Sequence, residues 1–445
     1  MWKLFVFASL CTAMILGTTR WSYAQSTAVP MSTNPIQPTD FGFSCNFDNP
    51  ATCKEARWIP SKSQPGLLRM LGTGATWHRL SPGSKAYNWH SLDVWLDAIA
   101  AHQPRAGMYT FFRTPCWLAS ESPESCKAHN SGTPGSGSPP SDLTSTGSPA
   151  FNAFVEGVVK HCSPAGHCMK DYFKYYEMWN EPNDPRYWSG SAEQLYQMVK
   201  PAVAIVRASV PGAIITTPAP YKGLKPGWMD EWLELENKNG RLSDLYGFHA
   251  YMSPASKWSP QEFTPEKRFE DLVMAMVWKK NKAGWNSTPW MNTETGFLGG
   301  GPFEPTDCPL SQGATNALCD AYLARWFVLQ FAYGAEHIDW YWFSSIGPQD
   351  ATYEELMSWL VGSHFTGPCT NKGDVYECPM VRANNRNALI VWKADADCSA
   401  DTCRTKSYTA ASQFRSVTDL KGKTSTIPAN HVVDIGAKPI LIGMD

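Results

Sequence analysis

Tyr175-Tyr176-Glu177-Met178-Trp179-Asn180-Glu181-Pro182 ends an apolar-aromatic run on a carboxylate held between an amide and a proline. Aromatic side chains suit the pleated surface of a sheet, and proline cannot continue a ladder. The run therefore reads as a buried strand that delivers one acid, Glu181, to its exposed C-terminal end. Pro289-Trp290-Met291-Asn292-Thr293-Glu294-Thr295-Gly296 repeats the delivery with Glu294.

Outward from these two stretches, strand-like runs alternate with helical ones. Residues 41–43, 67–71, 106–112, 173–179, 213–217, 245–251, 289–292 and 337–343 read as strands. Leu92, Trp95, Leu96 and Ile99 fall at i, i+3, i+4 and i+7, one face of a helix, and residues 192–208 and 269–280 are further helical stretches. Eight strands separated by helices predict a (β/α)8 barrel, over residues 40–366. From residue 367 to 445 short strands alternate with turn residues, which predicts a small all-β, sandwich-like module. The Gly/Ser/Pro-rich residues 120–150 follow the third strand and read as a surface loop at the C-terminal rim or as an inert insertion.

The chain has 445 residues, a formal charge of −2 and only 18% charged residues, which gives no electrostatic footprint for nucleic acid or anionic lipid. Residues 1–24 have the charged start, apolar core and small-residue end of a secretory signal peptide, and 25–39 a Ser/Thr/Pro-rich, unstructured lead-in. The apolar core of the signal is too short to span a bilayer, so no stable membrane anchor is expected. Of 13 cysteines, Cys11 lies in the signal. The others form local couples: Cys45/Cys53, Cys116/Cys126, Cys162/Cys168, Cys308/Cys319, Cys369/Cys378 and Cys398/Cys403. No Cys-x-x-Cys occurs, so disulfides in an exported protein, extracellular or periplasmic, are expected rather than a metal site. The 20 tryptophans are mostly core, though such rings also stack on sugars.

Two carboxylates at the ends of strands four and seven resemble the clan A glycoside hydrolases, whose acid/base follows the fourth barrel strand as Asn-Glu-Pro and whose nucleophile ends the seventh. Within the clan the chain resembles glycoside hydrolase family 39 and its bacterial polysaccharide-degrading members. The supporting stretches are Leu68-Arg69-Met70-Leu71-Gly72-Thr73-Gly74-Ala75-Thr76-Trp77, Tyr109-Thr110-Phe111-Phe112-Arg113-Thr114-Pro115-Cys116-Trp117, Phe248-His249-Ala250-Tyr251 and Trp340-Tyr341-Trp342.

The resemblance implies a secreted retaining glycosidase acting on a β-linked polysaccharide, exopolysaccharide or oligosaccharide, with no cofactor and no metal. Glu181 becomes the acid/base and Glu294 the nucleophile. Arg69 would face the nucleophile or serve only as a buried ion-pair arginine. Asn180 would donate to the sugar 2-hydroxyl. His249 and Tyr251 would lie beside Glu294, with Tyr251 the better partner for its carboxylate and His249 otherwise a core histidine. Trp342, or else Trp340, would floor the sugar at the point of cleavage, and Arg113 offers a charge to a uronate. Glu177 sits deeper, on the face that leads to Glu181, while Glu336 and Asp339 read as structural charges. Gly72 departs from the family pattern, where an acid is expected, so sugar specificity does not carry over. A carbohydrate-binding barrel without catalysis and a transglycosylase remain alternatives. Oligomeric state is not legible. Neither Gly-x-Ser-x-Gly nor His-Glu-x-x-His is present.

Overall fold

Eight parallel strands form the heart of the molecule in a computed structural model of the chain: β1 (Phe41–Ser44), β2 (Leu67–Met70), β3 (Ala106–Thr110), β4 (Phe173–Glu177), β5 (Ile214–Thr216), β6 (Tyr246–His249), β7 (Trp290–Thr295) and β8 (Ala335–Trp340). Their order is β5-β4-β3-β2-β1-β8-β7-β6. A parallel bridge from Thr216 to Leu245 joins the two ends, with Thr217 N donating to Leu245 O at 3.0 Å. The ring is thus a closed (β/α)8 barrel, as the alternation of elements predicts. The structure describes residues 34–44, 66–83, 86–101, 106–122, 124–126, 135–221, 227–252, 264–297, 315–341, 349–395, 397–398 and 402–444. The signal segment 1–24, most of the lead-in, Trp342, Cys45, Cys53 and Cys308 lie outside them.

Helices α1 (His90–Ala101), α2 (Pro149–Lys160), α3 (Ala192–Ser209), α4 (Trp228–Asn239), α5 (Ala275–Lys282), α6 (Asn316–Ala332) and α7 (Asp350–Leu360) cover the barrel. Their starts are chemically marked. Ser148 accepts from Phe151 N ahead of α2, Ser191 and Gln194 form a capping box on α3, and Thr315 accepts from Leu318 N at α6. A turn at Pro265–Arg268 and a π-helical stretch, Phe269–Met274, lead into α5. Helix α6 is apolar nearly all round because it is covered on both sides, by the barrel and by the C-terminal module.

Side chains alternate in and out along each strand, so the interior is layered by residue pairs two apart. The lower layer is apolar: Leu67, Met108, Leu245 and Met291 pack as one cluster. One step toward the C-terminal ends of the strands, the inward positions become Ser44, Arg69, Thr110, Glu177, Thr293 and Asp339, all fully buried. That change of polarity puts the chemistry at the upper end of the barrel, as is general for this architecture.

The C-terminal module is antiparallel. Strands β9 (His364–Phe365), β10 (Thr370–Lys372), β11 (Val375–Val381), β12 (Asn387–Lys393), β14 (Ser416–Thr418), β15 (Thr424–Thr426) and β17 (Ile440–Gly443) form one sheet, and β13 (Lys406–Thr409) pairs with β16 (Val432–Ile435). Arg325 of α6 locks the module to the barrel. Its Nε donates to Glu266 Oε1 at 2.7 Å and its Nη1 to Asp395 O at 2.9 Å, while Trp392 Nε1 also donates to Glu266 Oε1 at 2.7 Å. A buried pair tied down by this many hydrogen bonds is costly to break from one side.

Two boundaries fall earlier than the sequence places them. His364–Phe365 already pair with β11, ahead of residue 367. Within the lead-in, Ile36 is buried and exchanges backbone hydrogen bonds with Ser363 and Gly362, so residues 34–39 are structured. An apolar side chain with a backbone partner outweighs the polar composition around it.

Four of the expected couples are disulfides: Cys116–Cys126, Cys162–Cys168, Cys369–Cys378 and Cys398–Cys403. The first staples the loop after β3, whose Thr114–Pro115 pair with Gly135–Ser136. Gly137 O accepts from Ser189 N at 2.8 Å, fastening this loop to the one after β4. No described helix is long and apolar enough to cross a membrane.

Candidate active site

The segment after β4 leaves the sheet by a tight turn. Asn180 bridges to Ala219, Glu181 N donates to Ala219 O at 2.9 Å, and Asp184 N donates back to Glu181 O at 2.9 Å. Within that frame Glu181 takes φ 42°, a left-handed backbone that non-glycine residues seldom adopt. Such conformations cost on the order of 1–3 kcal/mol and persist only where the surroundings impose them. Here they turn the carboxyl group over the mouth of the barrel.

Glu294 arrives by another device. Along β6 and β7 the register runs Phe248 with Asn292 but His249 with Glu294, so Thr293 is an extra residue, a bulge. Bulges re-aim side chains beside functional sites. Asn292 clamps the neighbouring strand end, accepting from Ala250 N and donating to Ala250 O, both at 3.0 Å. Thr295 Oγ1 donates to Ala250 O at 2.7 Å.

Arg69 is the hub. Its Nη1 donates to Glu294 Oε2 at 2.7 Å, and its Nη2 donates to Glu177 Oε2 at 2.6 Å and Asn180 Oδ1 at 2.7 Å. Thr110 adds a hydrogen bond to Glu177 Oε2 at 2.9 Å. Burial alone would lower the guanidinium, but Glu177 and Glu294 outweigh it and hold Arg69 above its ordinary value. The two sequence readings of Arg69 thus combine, since it is an ion-pair arginine and it faces Glu294.

His249 sits between the two acids, its Nδ1 2.9 Å from Glu181 Oε1 and 3.7 Å from Glu294 Oε2. Its Nε2 is 3.3 Å from Arg69 Nη2. A guanidinium only donates, so Nε2 accepts, Nδ1 carries the proton, and that proton is directed at Glu181. Burial, with Arg69 nearby, lowers His249 to about 4 and keeps it neutral. Tyr251 donates its hydroxyl hydrogen to Glu294 Oε1, while burial and the adjacent carboxylate hold the phenol well above its usual range.

The two carboxyl groups stand in opposite environments. Glu181 is pushed up to about 8, first by burial and then by Asp184, against the opposing pull of Arg69 and Arg186. Glu294 has a guanidinium on one oxygen and a phenol on the other. One ligand atom each from Glu181, His249 and Glu294 lies within 4.8 Å of the other two. That spacing also suits a metal ion, but His249 Nδ1 holds a proton and Arg69 already occupies Glu294 Oε2, so the donor set is spoken for.

The other expected positions divide. Trp340 is fully buried on the outer face of β8, its ring stacked on Phe327 at 5.9 Å, and offers no face to a sugar. Period-two alternation decides this, because its neighbour Asp339 points inward. Trp342 lies outside the described residues. Arg113 has φ 64° and places its guanidinium 5.6 Å from the Tyr187 ring, at the rim rather than among the acids. Gly72 has φ 70°, a conformation that favours glycine over the acid expected there.

Three tyrosines were not foreseen. Tyr187 and Tyr221 are raised, mainly by burial, with Glu181 and Glu294 adding to the shift in each. Tyr341 N donates to Thr295 O at 2.7 Å, and its half-buried ring lies 6.4 Å from that of Tyr251. Only Tyr341 carried a usable signal, since it shares the inward parity of Asp339.

No family model matches the chain, and no curated protein matches it. Solved structures do. A family 39 glycoside hydrolase from the gut symbiont Bacteroides cellulosilyticus WH2 is similar with a TM-score of 0.62 at 16% identity, over 92% of this chain and 81% of that one. The catalytic domain of GH30 xylanase C from Talaromyces cellulolyticus gives 0.55 at 12% identity, over 94% and 99%. The GH51 arabinofuranosidase from Xanthomonas axonopodis pv. citri gives 0.54 at 10%, over 93% and 98%. At these identities the likeness is one of fold, and the fold is that of the clan the two glutamate motifs resemble.

Proposed function

We propose that the chain is a retaining glycoside hydrolase acting on a β-linked polysaccharide or oligosaccharide, with Glu181 as acid/base and Glu294 as nucleophile. The observation that carries the reading is the pair itself: carboxyl oxygens within 4.8 Å, one acid held protonated near neutral pH and the other gripped by Arg69 and Tyr251. Retaining enzymes keep their carboxyl groups about 5–5.5 Å apart, too close to seat a water between the second carboxylate and the sugar, so that carboxylate attacks directly.

In the first half of the reaction Glu294 attacks the anomeric carbon as the glycosidic C–O bond breaks, and Glu181 gives its proton to the departing oxygen. The product is an ester between sugar and Glu294. Having lost its proton, Glu181 keeps the hydrogen bond from His249 Nδ1, which steadies the new carboxylate. Glu181 then takes a proton from water, whose oxygen attacks the same carbon and breaks the ester. Two inversions return the starting configuration. Arg69 fixes Asn180 by its Oδ1, which turns the amide's donor end toward the 2-hydroxyl of the reacting sugar. With Trp340 buried, the flooring role stays with Trp342, and the half-buried Tyr341 lies beside Tyr251 at the same strand ends. The disulfides fit export to an oxidising compartment, with residues 1–24 as the signal.

The test is stereochemical. Incubation with a panel of β-linked polysaccharides and aryl β-glycosides should release reducing ends, and proton NMR should show the β-anomer as the first product. An α-anomer formed first would mean inversion, and no release across the panel would leave a binding protein.

A further inference from the structure

Asp339 is fully buried on β8, and neither of its oxygens has a hydrogen-bond donor among the described residues. Its carboxyl group lies flat against β1, where Gly42 is its direct strand partner. A Cβ on Gly42 would fall 1.6 Å from Asp339 Oδ1, so the absence of a side chain at 42 is what admits the acid. Across the same layer, Glu177 spends Oε2 on Arg69 and Thr110, while its Oε1 is buried without a donor. Burial pushes Asp339 well above the usual carboxylate range, with Glu177 and Glu294 adding to the shift and Arg69 opposing it. An ionised Asp339 would be the third anion around one guanidinium. As a neutral acid it carries the donor that Glu177 Oε1 lacks.

We propose that Asp339 is a positioning residue for the catalytic pair: as a neutral carboxylic acid it donates to Glu177 Oε1, directly or through one ordered water, and so fixes the Glu177–Arg69–Glu294 chain. The buried hydroxyls of Ser44 and Thr293, which also have no partner among the described residues, are inward positions of the same layer and suit such a water. Removing the donor lets Glu177 and Arg69 reorient and loosens the guanidinium from Glu294. The titratable groups around Asp339 include Arg69, Glu177 and Glu294 above it, Tyr175 and His337 below, and the buried phenol of Tyr353, which burial and then Asp339 hold above its usual range.

The inference rests on the proposed glycosidase reading for its kinetic arm only. In Glu181→Gln, which removes the other protonated acid of the site, the infrared spectrum at neutral pH should contain a carboxylic acid C=O band that disappears in Glu181→Gln/Asp339→Asn. No such difference means that Asp339 is ionised, and the proposal is overturned whether or not the protein cleaves sugars. Kinetically, Asp339→Leu should lower kcat by roughly tenfold or more with little change in KM, and Asp339→Asn, which keeps a neutral donor, should restore most of that loss. Equal losses in two folded variants would overturn the proposal. If Asp339→Leu does not fold, the infrared difference decides alone.

Discussion

The ends of β4 and β7 carry the same residue type to the same hollow and treat it in opposite ways. At β4 the backbone is bent into a left-handed turn, Glu181 is largely enclosed beside Asp184, and its charged form is penalised. At β7 the backbone bulges and Glu294 meets a guanidinium and a phenol. Two carboxyl groups within 4.8 Å would otherwise compete for protons as equals. The difference teaches that roles here are set by what each strand end packs against, and only secondarily by the acids themselves.

The strongest way to break the comparison is at Glu294. Glu294→Gln removes the nucleophile while keeping a hydrogen-bond acceptor for Tyr251, so the fold should survive. Turnover should fall by about four orders of magnitude or more, read as reducing ends released. Loss of only a few-fold would assign the nucleophile elsewhere.

Glu181→Gln should be milder and substrate-dependent. General acid catalysis contributes about 10²–10⁴-fold, and the loss should be large for sugar leaving groups yet small in the first step for aryl glycosides whose leaving group needs no proton. The wild-type alkaline limb of kcat/KM should fall near pH 8, because cleavage needs Glu181 protonated, and the variant should lack that limb. The stability sign follows from the same shift. A carboxyl raised in the folded state binds its proton more tightly than in the unfolded chain, so its contribution is complete below the ordinary value of 4.5 and is lost as pH rises through about 8. Thermal melts should therefore show Glu181→Gln more stable than wild type at pH 8.5, by roughly 2–5 °C, and level with it below pH 4.5.

Tyr251→Phe tests the β7 side more gently. It removes one donor from Glu294 and leaves Arg69 in place, so kcat should drop by about tenfold to a hundredfold with the fold unchanged by circular dichroism. An unaffected kcat would mean that the guanidinium alone prepares the nucleophile.

Much of this was legible because periodicity is a local property. Eight strands and both glutamates followed from runs of aromatic and β-branched residues ended by turn chemistry, whereas Arg69 came from the resemblance of the second strand to the clan. What failed was parity at a strand end. Trp340 is the sequence's alternative to Trp342 for the floor of the sugar, yet Gly42 opposite Asp339 shows that odd positions face in and Trp340 faces out. The hub role of Arg69 was only half visible, since its contacts join strands β2, β4 and β7, which no local pattern links. Likewise Glu177 was placed on the right face but its partner was not, and Ile36 was lost in a polar segment whose pairing with Ser363 is long-range.

The smallest expected effect separates the two causes that raise Glu181. Burial is the larger and Asp184 the second. Asp184 is itself neutralised in part by Arg186, whose Nε lies 2.9 Å from Asp184 Oδ2. Asp184→Asn removes the anion and releases the guanidinium, and both changes favour the ionised form of Glu181. The alkaline limb of kcat/KM should therefore move to lower pH, while the rate on the acidic side of the limb stays near wild type. The enclosure itself is intact in this variant, so the limb should shift by less than about one pH unit, remaining well above that of an ordinary glutamate. A limb that collapses to the ordinary range would mean that charge rather than burial makes Glu181 the acid, and the contrast between β4 and β7 would then rest on one neighbouring aspartate.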